Sequence, residues 1–237
     1  MLSTTTIIAN DTAPHSTFAQ WVISDCKQGA LVLDVGAGLG NAKYATLIRP
    51  QVAYLVGIDP DTNIYQNTQL DEKYKATLEE FAANDQQAHR FDVIYAYCVV
   101  EHVDEPMQFF SGCHKLLRTG GNLFVCTPNL WHYFGLATKF SATIGLENWT
   151  LDRLLGAERR TTYHFPTRYR GNSIPTIKNY LTQAGYAAVE FKVFDNPAIF
   201  HSYLPKPLRW APNLWSQAVY ALHLSSLMGT LMFKATA

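Results

Sequence analysis

Two kinds of residue near the start of the chain, closely spaced glycines and isolated carboxylates, could form a ligand-binding site. Gly36, Gly38 and Gly40 follow the run Leu31–Val35 at the spacing G-x-G-x-G. This pattern predicts a tight turn after a buried strand, where a ligand can lie directly on the main chain. Asp59 ends a second apolar run about twenty residues later, where a carboxylate can accept hydrogen bonds from both hydroxyls of a ribose. The pattern therefore predicts a nucleoside site.

The carboxylate of Asp34 helps to choose among the nucleosides that glycine turns bind. It precedes the first glycine by two positions, where it would face the pyrophosphate of a dinucleotide at the start of the next helix. Like charges a few ångströms apart repel by roughly a few kcal/mol in a partly desolvated cleft. The spacing also departs from the G-x-G-x-x-G fingerprint of dinucleotide sites. S-adenosylmethionine fits better, because it offers a ribose diol to Asp59, carries no phosphate, and brings an ammonium and a sulfonium close to Asp34.

Four motifs within residues 32–129 resemble those of the class I S-adenosylmethionine-dependent methyltransferases, and more narrowly the type 11 methyltransferase group. They occupy residues 32–40, 57–61, 91–106 and 116–129. The resemblance implies a doubly wound, Rossmann-like α/β fold with a mostly parallel seven-stranded sheet and a final antiparallel strand. It also implies S-adenosylmethionine as the cofactor. The residues assigned to cofactor binding are Asp34, Gly36, Ala37, Gly38, Gly40, Asp59, Pro60, Thr77 and Tyr97.

The adenine contact is the point at which the chain departs from this family. Family members carry an acidic residue soon after the third strand, where it receives the adenine amino group. If a short third strand covers residues 74–78, Thr77 stands at that position. Thr77 is the predicted adenine-side residue although it is not acidic.

Glu101 and His102 follow the predicted fourth strand, at the sheet edge where ligands of doubly wound folds bind. Methyl transfer from a sulfonium needs alignment, exclusion of water and, for a hydroxyl acceptor, removal of its proton. Because imidazole titrates near neutral pH, His102 is the predicted catalytic residue, as a base or as a group that positions the acceptor. The alternative is a loop histidine bonded to the backbone. Many type 11 members resemble this chain in the Glu-His pair whatever their substrate, which favours a structural or cofactor-side role.

An insertion over residues 130–172 carries the predicted acceptor-binding groups. Arginine forks make bidentate contacts with carboxylates, phosphates or sugars, and tyrosines stack and donate. The alternative is a solvated loop in which Asn172 or Ser173 caps the next helix, predicted from Ile174 to Gln183. The segment also looks like one found in type 11 relatives associated with glycan and cell-envelope biosynthesis. The predicted substrate residues are His132, Tyr133, His164, Arg168, Tyr169 and Arg170, and no ligand spacing predicts a metal site.

Length, charge and cysteine usage narrow the class of protein. A chain of 237 residues suits a single domain over residues 1–237, with residues 1–15 loose and a first helix from Thr17 to Lys27. The 19 basic and 19 acidic residues leave no net charge, which disfavours a nucleic-acid substrate. Four cysteines without a C-x-x-C pair, after a start unlike a signal peptide, predict reduced thiols in a cytoplasmic protein.

The C-terminal segment, residues 196–237, contains no Asp or Glu but contains Lys206, Arg209 and Lys234. It also contains Trp210 and Trp215. Polar residues and a proline interrupt its uncharged stretch, so a buried helix and a closing strand are predicted rather than a membrane span. A weak, salt-sensitive affinity for anionic membrane surfaces is a further expectation, and burial of both tryptophans is the alternative.

The sequence thus predicts methyl transfer from S-adenosylmethionine to a small-molecule, glycan or lipid-linked acceptor, with a hydroxyl favoured. Two alternatives remain at this stage. One is a nicotinamide-dependent oxidoreductase, and the other is a non-catalytic protein that binds S-adenosylmethionine. Oligomeric state has no signature in the sequence.

Overall fold

The computed structural model describes residues 1–9, 13–143, 165–201, 204 and 206–237. The strands within these residues are β1 (Leu2–Ile7), β2 (Leu31–Val35), β3 (Tyr54–Asp59), β4 (Glu72–Lys75), β5 (Phe91–Tyr97), β6 (Leu117–Pro128), β7 (Ala188–Phe194) and β8 (Thr230–Thr236). The helices described are α1 (Pro14–Asp25), α2 (Lys43–Ile48), α3 (Leu78–Ala83), α4 (Pro106–Leu116), α5 (Tyr133–Thr143), α6 (Ile174–Gln183), α7 (Pro197–His201) and α8 (Trp210–Ala221).

In the described part of the chain, eight strands form one sheet in the order β1-β7-β8-β6-β5-β2-β3-β4. Every pair of neighbours is parallel except the two that involve β8, which runs antiparallel to both β6 and β7. The predicted Rossmann-like α/β fold with an antiparallel closing strand is therefore confirmed. The sheet has one strand more than the predicted seven.

The additional strand, β1, corrects the expectation that residues 1–15 are loose. Leu2 to Ile7 pair in parallel with β7, from Leu2 opposite Ala188 to Ile7 opposite Val193. All but the last of these side chains are exposed, so the strand lacks the alternation of apolar and polar residues that marks a half-buried strand. Its three consecutive threonines favour extended backbone, but the hydrogen bonds come from a partner far along the chain. The first helix begins at Pro14, before the predicted Thr17.

Both faces of the sheet are covered, as in a doubly wound fold. Along β2, Val32 packs into the core that includes α1 and α2, whereas Leu33 and Val35 pack into the core that includes α3 and α4. Both kinds of position are buried, so β2 reads as a continuous apolar run around Asp34. The central parallel strands β2, β3 and β5 therefore end at one common edge.

Two segments between the main elements are irregular. A short 3-10 turn, Thr62–Gln66, follows β3. Gly120 and Gly121 lie within β6, where the pairing with β5 shifts register and Gly120 has a φ of +75°. In the described residues, no helix is both long and apolar enough to cross a membrane.

Candidate functional site

A cleft of about 910 Å³ opens at the carboxyl ends of β2, β3 and β5. One side is formed by the glycine loop, residues 36–40, and the next by Asp59 and Pro60. The far side is formed by residues 76–79, by residues 97–99 at the end of β5, and by His102 and Phe165. The volume is in the range of pockets that enclose a ligand of nucleoside size.

The glycine loop tolerates no side chain at two of its positions. Gly36 has a φ of +77°, and a Cβ there would lie 2.5 Å from Cγ2 of Val99. Gly40 has a φ of +71°, and a Cβ there would collide with the side-chain amide of Asn67. The backbone conformation and the lack of space both require glycine. The predicted turn thus brings bare main chain to the cleft.

Asn67 closes the glycine loop from behind, and sequence reasoning missed it. Its fully buried Nδ2 donates to the carbonyl oxygens of Ala37 at 3.1 Å and Gly38 at 3.2 Å. It lies in a polar stretch with no recognisable motif, so its role emerges only from the packing of the 3-10 turn against the loop.

Asp59 is held at the end of β3 by backbone donors. Its carboxylate is 1% exposed, and it accepts from the N–H of Gly38 at 3.0 Å and from the N–H of Asp61 at 2.8 Å. A carboxylate offers about four acceptor positions, so these bonds orient it while it can still accept from a ligand. Asp59 lines the cleft, as required of a group that binds a ribose diol.

Asp34 was predicted to face the ligand, but it is buried. Its side chain is buried beside Tyr95 and does not line the cleft. Burial raises the pKa of Asp34 to about 7, the Tyr95 hydroxyl opposes this shift, and the nearby Asp59 carboxylate adds to it. The expected direct contact with a ligand is therefore corrected, because Asp34 is buried and is not among the residues that line the cleft. Its Oδ1 has no hydrogen-bond partner among the described residues.

These observations fit S-adenosylmethionine. The glycine loop offers open main chain, Asp59 offers an oriented carboxylate for a ribose, and Asp34 is a buried carboxyl group with an oxygen left without a donor. A family model described as a methyltransferase domain matches residues 15–190. The chain belongs to the class I S-adenosylmethionine-dependent methyltransferases.

Named relatives and solved structures agree with this assignment. The ubiquinone biosynthesis O-methyltransferase of Dictyostelium discoideum is 32% identical over 120 residues, which cover 43% of this chain and 36% of that protein. The chain thus spans little more than a third of that relative. A methyltransferase structure from Archaeoglobus fulgidus superimposes with a TM-score of 0.61 at 15% identity, covering 94% of this chain and 93% of that one. At this identity the likeness shows the fold alone.

The cofactor of this methyltransferase is S-adenosylmethionine. One structural neighbour, the phosphoethanolamine N-methyltransferase 2 of Haemonchus contortus, was solved with phosphomonomethylethanolamine and S-adenosylhomocysteine. It superimposes with a TM-score of 0.59 at 12% identity, covering 95% of this chain and 52% of that one.

Thr77 lines the methyltransferase cleft, but its side chain also caps α3. Its Oγ1 accepts from the N–H of Glu80 at 3.2 Å, and its own N–H donates to Oε2 of Glu80 at 2.9 Å. This capping box engages the hydroxyl that the sequence assigned to adenine. Glu79, two residues beyond, lines the same wall and carries the carboxylate that Thr77 lacks. Glu79 is therefore a better candidate than Thr77 for the adenine contact, although the sequence analysis did not select it.

Tyr97 forms an aromatic wall at the end of β5. Its ring stacks on Tyr44 with centroids 4.6 Å apart and on His15 with centroids 4.8 Å apart. Burial raises the pKa of Tyr97, so the phenol stays neutral. Tyr44 also lines the cleft, from α2. The predicted position of Tyr97 at the cofactor site agrees with this placement, while Tyr44 had no signal in the sequence.

His102 lines the cleft and is bonded to the backbone, so it combines features of both interpretations weighed from the sequence. Its Nδ1 lies 3.2 Å from the carbonyl oxygen of Pro166. A carbonyl oxygen can only accept, so Nδ1 carries the proton, and the neutral ring has its basic lone pair on Nε2. Phe165 lies beside the ring, with centroids 6.2 Å apart.

The segment of residues 165–172, named here the strap, lies beside this end of the cleft. The N–H groups of Arg168 and Tyr169 both donate to the carbonyl oxygen of Glu101, at 2.7 and 3.1 Å. Phe165, at one end of the strap, lines the cleft. The strap is therefore attached at the Glu-His pair itself.

Arg168, Tyr169 and Arg170 hold the strap in place and do not line the cleft, which corrects their assignment as direct acceptor contacts. Nε of Arg168 pairs with Oδ1 of Asp104 at 2.9 Å, and Nη1 of Arg170 donates to the carbonyl oxygen of Asp104 at 2.8 Å. Tyr169 is buried with a φ of +50°. Both arginines thus tie the strap to the segment that leads into α4.

His132 is buried in the core and Tyr133 is half-buried beside it, which corrects their assignment to the acceptor. His132 is 1% exposed, and its Nε2 lies 3.2 Å from Oδ1 of Asp195. The Tyr133 ring packs edge-on against Trp215, with centroids 5.4 Å apart. Neither residue lines the cleft. His164, the remaining predicted substrate residue, lies outside the described residues.

A buried chain of hydrogen bonds supports the strap from below. Oγ1 of Thr127 donates to Oε2 of Glu101 at 3.0 Å, and Nδ2 of Asn172 donates to Oγ1 of Thr127 at 2.6 Å. Burial raises the pKa of Glu101 to about 7, and the hydrogen bond from Thr127 opposes this shift. These hydrogen bonds connect β6, the strap and the turn Val100–His102. Among the described residues, no cluster of His, Cys, Asp and Glu could hold a metal ion.

We expect Glu101→Gln to change how stability depends on pH. A buried glutamate with a raised pKa binds its proton more tightly in the folded than in the unfolded chain. Its contribution to the free energy of unfolding is therefore complete below pH 4.5 and is lost as the pH rises through about 7. Glutamine does not titrate. The difference in free energy of unfolding between wild type and Glu101→Gln should therefore change by roughly 3 kcal/mol across this pH range. Urea unfolding at a series of pH values measures it.

The control for this experiment is Glu190→Gln, because Glu190 lies on β7 and does not line the cleft. It should keep the wild-type pH profile. Parallel stability curves for wild type and Glu101→Gln would contradict the raised pKa of Glu101.

Proposed function

We propose that this methyltransferase methylates a hydroxyl group of a small-molecule, glycan or lipid-linked acceptor. The observation that carries the proposal is the placement of His102, which lines the cleft with Nδ1 fixed on the Pro166 carbonyl oxygen at 3.2 Å. This bond makes Nε2 the basic nitrogen of the neutral ring. The Dictyostelium relative, named as an O-methyltransferase, supports oxygen as the acceptor atom over the region it shares with this chain.

On the cofactor side, the residues bind and orient. Asp59 accepts hydrogen bonds from the ribose hydroxyls. The main chain of the glycine loop, which includes Ala37, lies against the ligand. Glu79 accepts from the adenine amino group, and Pro60 and Tyr97 form walls. The cationic groups of the ligand favour the ionised form of Asp34, and the resulting carboxylate stabilises them in turn. When bound, S-adenosylmethionine supplies an activated methyl group as a sulfonium.

On the acceptor side, His102 acts as the base that removes one proton. Nε2 takes the proton of the acceptor hydroxyl, which makes the oxygen a better nucleophile. The bond from Nδ1–H to the Pro166 carbonyl fixes the ring and favours the imidazolium that forms. Phe165 and the strap behind it shield this proton from water. The side chains of the strap that were assigned to the acceptor act as positioning residues.

The proposal is tested by turnover with methyl-labelled S-adenosylmethionine and a panel of phenols, catechols, sugars and lipid-linked polyols. Mass spectrometry would detect the added methyl group, and NMR of the product would identify the methylated atom. Methylation confined to nitrogen or carbon would refute the oxygen assignment. Cofactor binding without turnover on any class of acceptor would favour the non-catalytic alternative. The nicotinamide-dependent alternative is set aside because the chain belongs to the methyltransferases.

The setting of the enzyme is part of the same proposal. Residues 1–237 form one domain, which is supported by the pairing of β1 and β8 with the two edges of β7. The enzyme works in the cytoplasm and meets lipid-linked acceptors at membrane surfaces. The four free cysteines and the absence of net charge support a reducing setting and a partner other than nucleic acid.

Arg168→Ala should raise the acceptor KM by up to about fivefold and leave the affinity for S-adenosylmethionine unchanged. The substitution removes the pair with Asp104, and exposed ion pairs contribute about 0–1 kcal/mol. Arg118→Ala is the matched control, because Arg118 pairs with Asp92 at the same distance of 2.9 Å outside the cleft. Steady-state kinetics and calorimetry separate the two effects. A loss of cofactor affinity in Arg168→Ala would contradict this division of roles.

A further inference from the structure

The exposed side of α8 carries large apolar side chains next to the uncharged polar Asn213 and Gln217. Trp210 and Leu214 lie one turn apart and are 61% and 57% exposed, and Leu222, after the helix end, is 67% exposed. Leu208, in the turn before the helix, is 49% exposed. We name these four residues the C-terminal patch. The opposite face of the helix buries Pro212, Ser216 and Val219 against the rest of the protein. Large apolar side chains exposed along one helix mark a candidate interaction surface.

The charged residues that the C-terminal segment places beside the C-terminal patch are all cationic. Residues 196–237 contain no Asp or Glu, and exposed Lys206 and Arg209 flank the start of α8. Lys234 does not belong to this set, since its Nζ pairs with Asp25 at 3.2 Å. An apolar helix face with flanking cations is the arrangement by which amphipathic helices lie in the surface of an anionic membrane. Tryptophan at the helix end suits the boundary between headgroups and acyl chains.

The C-terminal patch is also connected to the cleft edge of the sheet. On its inner side, Trp215 packs against Tyr133, the first residue of α5. α5 follows the carboxyl end of β6, and this strand runs parallel to β5, whose carboxyl end borders the cleft. A membrane held by α8 would therefore lie near the edge of the sheet where the acceptor enters.

We infer that the C-terminal patch binds the surface of anionic lipid membranes. The patch inserts Trp210 and Leu214 at headgroup level, while Lys206 and Arg209 pair with lipid phosphates. Attachment is reversible, because a short apolar face and two cations give modest affinity. The inference deepens the proposed function by placing lipid-linked acceptors within reach. It is tested without any acceptor, so its failure and the failure of the proposed chemistry are distinguishable.

The test is flotation of the full chain with vesicles of phosphatidylcholine alone or of equal parts phosphatidylcholine and phosphatidylglycerol. We expect binding to the anionic vesicles, loss of this binding at high salt, and little binding to the neutral ones. Trp210→Ser with Leu214→Ser should weaken binding roughly tenfold. Lys206→Gln with Arg209→Gln should weaken it roughly fivefold for each cation removed.

Matched controls come from the opposite edge of the molecule and from other exposed cations. Tyr65→Ser removes a ring that is 60% exposed, and Lys27→Gln with Lys75→Gln removes two exposed cations, so both should bind as wild type does. Unchanged thermal unfolding and S-adenosylmethionine affinity would show that the patch variants are folded. No flotation with anionic vesicles at low salt would overturn the inference. Equal binding by patch and control variants, or self-association through the patch in place of vesicle binding, would also overturn it.

Discussion

His102→Ala is expected to lower kcat by roughly 10²- to 10⁴-fold, the range in which positioned general bases contribute to proton transfer. In the proposed mechanism, Nε2 of His102 takes the proton of the acceptor hydroxyl, while Nδ1 is bonded to the Pro166 carbonyl oxygen at the cleft. Single-turnover methyl transfer with saturating S-adenosylmethionine measures the chemical step directly. The affinity for S-adenosylmethionine, measured by calorimetry, should change little.

Two further measurements distinguish a base from a structural histidine. Added imidazole should restore part of the activity of His102→Ala, because it can take the proton in the space left by the ring. His114→Ala is the matched control, since the His114 ring packs edge-on against Tyr186 away from the cleft, and it should retain wild-type turnover. A full rate in His102→Ala would exclude the role as a base, and a matching loss of cofactor affinity would assign the residue to the cofactor side.

Asp59→Ala is expected to weaken S-adenosylmethionine binding by roughly 100-fold or more. Each hydrogen bond to a charged group contributes about 1.5–3 kcal/mol, and the substitution removes the proposed acceptor of the ribose hydroxyls. It also leaves the N–H of Gly38, in the middle of the glycine loop, without the oxygen that it donates to at 3.0 Å. Calorimetric titration with S-adenosylmethionine and with S-adenosylhomocysteine measures the loss for both ligands.

Asp59→Asn and Asp61→Ala serve as graded controls. Asparagine keeps one acceptor oxygen, so its loss should be intermediate. Asp61 caps the following 3-10 turn through Asn63, at 2.8 Å, and does not line the cleft, so Asp61→Ala should bind S-adenosylmethionine nearly as wild type does. Wild-type affinity in Asp59→Ala would show that another group binds the ribose.

The sequence by itself determined those parts of the protein whose physical requirements are local. Gly36 and Gly40 could be recognised because a left-handed turn after a buried strand admits only glycine. Helix α6 was predicted with its observed bounds, Ile174–Gln183, because Ser173 caps its start and Gly185, with a φ of +93°, follows its end. Asp59 followed from the strand that it terminates. Each of these signals lies within a few residues of the structure it specifies.

Tertiary structure decided the parts that depend on partners distant in the chain. β1 needs β7, almost the whole length of the chain away, for its hydrogen bonds, and its own side chains show no pattern of burial. The depth of Asp34 and the closure of the glycine loop by Asn67 depend on packing across the sheet. Residue type therefore indicated the chemistry available, whereas burial and orientation decided which groups reach the cleft.

The insertion illustrates the same limit on the acceptor side. Arg168 and Arg170 have the chemistry to bind an anionic acceptor, but in the fold Asp104 lies within reach of both and they fasten the strap instead. His132 could act as a base, but it is buried in the core, where its Nε2 lies 3.2 Å from Oδ1 of Asp195. A charged or titratable side chain interacts with whichever partner the fold brings to it, and that partner is set by contacts between segments that no local pattern records.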